Sequence, residues 1–363
     1  MTEHLALLLG TRKGLLRFER SGTSYRMVRL ELEGIPIAYA ARDPRSETTW
    51  ACLDHGHWGQ KLQRRGDGDK PWEEVAAPKF PEGTKCPNGD AATLRYLWCF
   101  QHGGTDQPGR IYFGTEPGGL FRSDDDGAHF ELVSGLWDHP SHTEEQWFGG
   151  GRDTPGIHTI LVDPRDSRKL TIAISCAGVF RSTDDGASWT GKNKGMRADF
   201  LPDPNSAYGQ DPHLVVRSKA EPDVLWQQNH CGIYRSVNNG DEWTFVSQEG
   251  GPAHFGFAIA THDTDARTAW VVPLDSDGKR NAIRGALSVC RTTDGGENWT
   301  RLTRGLPQES AFDVTYRHCL DTDGDVLAFG TTTGNLYLSE DAGDSWQCLA
   351  NNLPPVYSVR FER

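Results

Sequence analysis

Ser182-Thr183-Asp184-Asp185-Gly186-Ala187-Ser188-Trp189 fits the pattern S-x-D-x-G-x-x-W, and the same box recurs along the chain. Ser339, Asp341, Gly343 and Trp346 repeat it, and Thr292, Asp294, Gly296 and Trp299 repeat it with Thr for Ser. Ser236, Asn238, Gly240 and Trp243 use Asn for Asp, while Ser123, Asp125, Gly127 and Phe130 close on Phe. Two eroded copies stand at Asp67 with Trp72 and at Gly22 with Tyr25. From Tyr25 to Trp346 the closing aromatics recur roughly every 53 residues, the length of a four-stranded blade with its loops.

The chemistry of the box is that of a turn. A carboxylate or amide at its third position can accept backbone N–H groups. Glycine at its fifth supplies a positive φ, and the indole can plug the gap between blades. Around an intact copy, such as blade four, strands are expected at Ile157–Val162, Leu170–Ser175, Val179–Ser182 and Ser188–Thr190. The beginning of the chain supplies three strands, Leu5–Gly10, Leu15–Phe18 and Tyr25–Leu32, and lacks an innermost one. Val356–Phe361 is predicted to fill that place, so the C-terminal strand closes the N-terminal blade and removes an open edge. The expected fold is all-β, a seven-bladed β-propeller forming a single domain over residues 1–363.

Composition narrows the function classes. The 363 residues carry 38 Lys+Arg against 50 Asp+Glu, a formal charge of −12. Nucleic acid and anionic membrane surfaces, which call for a basic face, are therefore not expected partners. No apolar run approaches the roughly 20 residues that span a bilayer. The run Leu5–Leu9 follows an acid and is too short for a signal peptide. A cytoplasmic location is the expectation. The eight cysteines are scattered without a C-x-x-C pair, so reduced, mostly buried thiols are expected.

Five good boxes and two weak ones make the chain resemble the Asp-box (BNR-repeat) β-propellers. That group takes in sialidases, xyloglucanases, sortilin-type receptors and the photosystem II assembly-factor propellers. The resemblance covers essentially the whole chain. It implies a propeller fold, and it leaves two activities open: glycan cleavage of the sialidase-like type, or non-catalytic binding and assembly. The sialidase pattern implies an early Arg-Ile-Pro, here Gly34-Ile35-Pro36, and a late tyrosine, for which Tyr357 is the matching position.

Candidate site residues follow from blade geometry. In a propeller the starts of the innermost strands and the turns between second and third strands share one face, where a ligand would sit. His158 and His213 open the innermost strands of blades four and five, and His230 lies in a turn of blade five aligned with Cys176 of blade four. His55 and His57 occupy the matching turn of blade two, and Glu116 that of blade three. The long insertions Pro78–Thr93, Ser134–Gly156, Gly195–Asp211 and Leu274–Gly285 fall on the same face, bringing Trp137, His139, His142, Trp147 and Tyr208. His254 is expected there too.

The expected catalytic set is His158, His213, His230 and Glu116, with general acid/base roles. The three histidines are also the expected ligands if a divalent metal (Zn, Fe or Mn) is used. Arg12, His55, His57, Trp147, Arg284 and Tyr357 are the expected substrate contacts. Arginine at the mouth of an acidic protein points to a small-molecule or glycan ligand carrying polar or anionic groups. The functional expectation is a hydrolase of glycosidase type, possessing or lacking a His-bound metal. The alternative is a non-catalytic binding or assembly propeller.

Overall fold

The computed structural model describes residues 6–22, 24–68, 70–144 and 146–362. The fold is an all-β, seven-bladed β-propeller built of antiparallel sheets. The chain divides into two compact units, Met1–Ile37 with His213–Arg363, and Ala38–Pro212.

The first unit holds blades one, five, six and seven. In blade one, Val356–Glu362 pairs with Ala6–Thr11, followed outward by Gly14–Ser21 and Ser24–Glu31, so the expected closing strand is present. Leu5, placed at the head of the first expected strand, lies outside the described residues. Blade five runs Pro212–Arg217, Leu225–Asn229, Gly232–Ser236 and Thr244–Phe245. Blade seven runs Leu320–Asp323, Val326–Gly330, Leu336–Ser339 and Gln347–Ala350. Blade six has Gly256–Thr261, Ala269–Ser276, Val289–Thr292 and Thr300–Leu302, plus a fifth strand, Lys279–Ala282, that pairs only with the second.

The second unit holds blades two (starting at Ile37–Asp43), three (Tyr96–His102) and four (Ile157–Asp163). Blade four matches the sequence expectation closely, with strands Ile157–Asp163, Asp166–Ile174, Gly178–Ser182 and Thr190–Gly191.

In each unit the apolar core lies between neighbouring blades. Tyr112 and Leu120 of blade three pack with Ile172, Phe180 and Trp189 of blade four. In the other unit, Trp226 and Leu214 of blade five pack with Ile259, Val271 and Cys290 of blade six. The indole N–H of Trp299 donates to the Val246 carbonyl of the preceding blade at 2.7 Å, as a plug should.

The boxes form the expected turns and use one feature more. In blade four the Ser182 hydroxyl donates to Asp184 Oδ1 (2.8 Å) and accepts the Gly186 N–H (2.9 Å), while Asp184 Oδ1 accepts the Ser188 N–H (2.9 Å). The Ser188 hydroxyl, donating to Asp184 Oδ2 at 2.6 Å, leads the Ser188 N–H and the Ser182 hydroxyl in pushing the Asp184 carboxyl down to about 2. Gly186 has φ 86°, and the residue before it, Asp185, is left-handed as well at 62°. The same succession occurs at Asp126–Gly127, Asn239–Gly240 and Ala342–Gly343. The arginine preceding the box reaches the next blade. Arg122 pairs with Asp185, and Arg291 donates to the Ala342 carbonyl at 2.9 Å and pairs with Asp344.

Candidate functional site

The histidine pair lies in the first unit and is built on the inner strand of blade six. That strand begins with a register irregularity between Gly256 and Ile259, a bulge that re-aims the side chains at its start. A side chain at Gly256 would meet the Val272 carbonyl oxygen at 2.9 Å, so only glycine lets the two strands approach there. Phe257, buried, lies flat against the His213 ring, with centroids 4.4 Å apart and planes at 23°. His213 Nδ1 lies 2.6 Å from the Gly256 carbonyl oxygen. A carbonyl only accepts, so Nδ1 carries the proton and Nε2 is the basic nitrogen.

His230, in the turn after Leu225–Asn229, meets His213 edge-on at 5.5 Å and Phe255 at 5.6 Å. Two imidazoles in contact beside apolar rings can relay a proton, and neutral imidazole is a ligand type for divalent metals.

The stretch expected as a loop, Leu274–Gly285, instead makes the extra hairpin of blade six and a short 3-10 turn over Ile283–Gly285. Its turn carries Asp277, whose Oδ1 accepts from Arg280 Nη2 (2.5 Å) and Nε (3.1 Å). The Arg280 bond holds the Asp277 carboxyl below its usual range, and the His230 and His213 rings add to the effect. The Arg280 guanidinium lies 5.3 Å from the Phe257 ring, the Arg317 guanidinium also 5.3 Å, and the Tyr316 ring 4.9 Å. Phe257 is thus a buried floor, and His230, Tyr316, Arg317 and Arg280 are the partly or fully exposed groups around it.

Glu116 and His158 belong to the other unit. The Glu116 carboxylate, buried, accepts from Arg152 Nε and from the Thr154 hydroxyl at 3.3 Å. Arg152 lies over Tyr96 (4.6 Å) and Trp98 (5.2 Å), and Trp98 meets the His158 ring at 5.8 Å. His158 Nδ1 is 3.0 Å from the Thr159 hydroxyl. His213 and His230 are therefore brought together, and Glu116 and His158 share a separate nest of rings around Arg152.

The remaining candidates spread more widely. His55 Nδ1 accepts the Trp58 N–H at 3.2 Å, and His57 meets the same exposed indole at 4.5 Å. Trp147 is buried, its indole N–H donating to Ser141 Oγ at 2.8 Å, with His142 and Phe180 against its ring. It serves with Trp137, His139 and Tyr208 to seat the Ser134–Gly156 insertion on blades three and four, where burial pushes the His139 and His142 pKa values down. Arg12 is exposed, its N–H bonded to the Pro355 carbonyl; Arg284 is exposed with φ 57°; Tyr357 is half-buried in the closing strand. Asp54 accepts from Gln60 (2.6 Å), and Asp313 accepts from Thr333 (2.7 Å) and Asn335 (2.6 Å). His254, in the same unit as the histidine pair, packs on Phe245 and bonds Ser247.

Sequence reasoning missed Phe257, Asp277, Tyr316 and Arg317. The signal for the first was there: Phe255-Gly256-Phe257 puts two rings at the head of a strand already expected to be innermost.

No protein-family model matches the chain. It is 26% identical over 276 residues, 69% of its length, to a xyloglucanase of a Paenibacillus species, and spans 24% of that protein. Its fold is similar to that of the Niastella koreensis GH74 enzyme, with a TM-score of 0.60 and 16% identity, covering 94% of this chain and 51% of the other. It is also similar to YCF48 bound to D1 peptide, with a TM-score of 0.54 and 13% identity, covering 96% and 84%. A putative 6-phosphogluconolactonase from Bacteroides fragilis superposes with a TM-score of 0.59 at 12% identity, covering 100% and 99%. The chain thus spans about a quarter of the curated relative and about half of the GH74 enzyme.

Proposed function

We propose that this chain is a carbohydrate-acting propeller of the glycoside-hydrolase type, with its site at the His213–His230 pair. The observation that carries the reading is the contact of these two imidazoles, His213 stacked on Phe257, with the His213 tautomer set by the Gly256 carbonyl. An imidazole of defined tautomer beside a second one can deliver and recover a proton near neutral pH. Tyr316 and the arginine stems, partly or fully exposed, offer planar and apolar surface on which sugar rings stack. The similarity to a xyloglucanase supports the carbohydrate class. A divalent metal held by the same two rings is a variant of this reading, in which the metal would activate water.

A second reading, a non-catalytic binding propeller, draws on the similarity to YCF48 over most of that protein's length. One assay separates them. Purified protein is incubated with xyloglucan oligosaccharides, products are followed by chromatography, and metal content is measured in parallel. Cleavage abolished in His213→Asn supports the enzyme. Binding without cleavage, at any pH between 5 and 8 and with added Zn, Fe or Mn, supports the binding module. No binding by any oligosaccharide removes both carbohydrate readings.

A further inference from the structure

We infer that Asp211, His213 and His230 form a divalent-metal site of two imidazoles and one carboxylate. The site includes the histidine pair proposed above, but it follows from ligand geometry and does not require that a sugar be cleaved.

Ordinary strand geometry brings the three together. Asp211-Pro212-His213 leads into the inner strand of blade five, Pro212–Arg217, and residues two apart on extended chain point to the same side. The neighbouring strand, Leu225–Asn229, runs back along the first, so His230, just past its end, returns beside the start of the inner strand. One ligand atom from each of the three lies within 4.8 Å of the other two. Ligands held about 2.1 Å from one ion stand roughly 3–3.5 Å apart, so a small swing of the half-buried His230 closes the set.

Two of the three are oriented from behind. His213 gives its Nδ1 proton to the Gly256 carbonyl at 2.6 Å, which makes Nε2 the ligand atom, and Phe257 stacks on the ring. Asp211 Oδ1 accepts the Cys176 N–H at 3.1 Å, which sets the angle of its carboxylate. Outer partners of this kind fix tautomer and ring or carboxylate orientation in metal sites. Asp211 and His213 are both buried, and a buried carboxylate calls for a cation or a hydrogen-bonded partner. Two nitrogens with one carboxylate oxygen suit Zn, Fe(II) or Mn, and three protein ligands leave a position open to water or to a ligand oxygen. A calcium ion would find too few oxygens. Asp211 thus takes the third place that the sequence expectation gave to His158, which packs on Trp98 instead.

The whole protein, stripped with a chelator, is titrated calorimetrically with Zn and with Mn ions in the absence of sugar, and Co(II) serves as a spectroscopic probe. One ion per chain is expected to bind. Affinity should fall at least about 100-fold in Asp211→Asn and in His230→Asn, more than the loss of an outer partner costs, and stay unchanged in His158→Asn. Asparagine can still accept the Cys176 N–H, so the first variant drops the charge and keeps the outer bond. The visible Co(II) bands should be lost in the same two variants. If Asp211→Asn melts early without metal, Asp211→Glu, which keeps the charge and displaces the oxygen, replaces it and should weaken binding about tenfold. No uptake of any of the three ions would mean that Asp211 only pairs with protonated imidazole, and would overturn the inference while leaving the proposed function standing. Uptake that Asp211→Asn and His230→Asn both retain would overturn it as well. One-to-one uptake lost in both variants, by a protein that binds no oligosaccharide, would remove the proposed function and keep the metal site.

Discussion

Two regions of the molecule are made of the same parts and behave as opposites. In the second unit, Arg152 rests on Tyr96 and Trp98, and its carboxylate partner, Glu116, is buried, with 4% of its side chain exposed. In the first, Arg280 and Arg317 rest on Phe257, and the carboxylate partner, Asp277, stands 47% exposed on a hairpin turn. Burial of the carboxylate decides the difference. A desolvated pair is locked, because removing one member strands a charge. A solvated pair is weak and exchangeable. The Arg152 pair is held in place; the Arg280 pair is open to exchange.

This contrast can be broken most forcefully by Arg152→Ala, which strands the buried Glu116 carboxylate. It is expected to cost about 3 kcal/mol of unfolding free energy, seen as a lower midpoint in denaturant, whereas Asp277→Ala should cost less than about 0.5 kcal/mol. Similar costs for the two would dissolve the distinction. Next, His213→Asn should lower turnover of the cleaved oligosaccharide about 100-fold, as loss of a general acid or base does. His158→Asn in the other unit should leave turnover within about twofold. Third, Ser182→Ala strands the Gly186 N–H in its turn and should cost about 1–2 kcal/mol without touching binding. Fourth, Trp147→Phe keeps the ring against Phe180 and loses the bond to Ser141, for about 1 kcal/mol.

The smallest effect is a pH slope. Burial holds the His139 and His142 pKa values below their ordinary range in the fold, so the unfolded chain takes up those protons first on acidification. Their stabilising contribution is present above about pH 6.5 and declines as pH falls below it. Melting temperature should therefore drop between pH 7 and 5, and His142→Gln should flatten that drop. An unaltered slope in the variant would assign it to other groups.

The fold was legible because its signal is local and repeated. Each intact box specifies one turn by Ser or Thr, Asp or Asn, and Gly at fixed offsets, and five such copies with two eroded ones set the period of the propeller. The left-handed residue before each box glycine escaped notice, since Asp, Asn, Gly and Ala share no side-chain signature for it. The site was legible only in part. His213 and His230 were expected together, and both belong to one blade, where strand-to-turn geometry governs. Glu116 and His158 were grouped with them by analogy between blades, yet the structure sets them around Arg152 of the Ser134–Gly156 insertion, whose packing on Tyr96 and Trp98 follows from tertiary contacts. Trp147 and Arg284 were read from insertions in the same way: the first is buried packing, the second a turn residue. Arg317 and Tyr316 lie in a segment without strand periodicity, and Asp277 is placed by a hairpin that looked like a loop.

The most direct test is a crystal structure of the protein with a bound oligosaccharide. The sugar should lie against His230 and Tyr316, within about 4 Å of their rings, with an oxygen hydrogen-bonded to His213 or Arg280. A sugar stacked instead on Tyr96 and Trp98, or on the exposed indole of Trp58, with the His213–His230 pair untouched, would contradict the account.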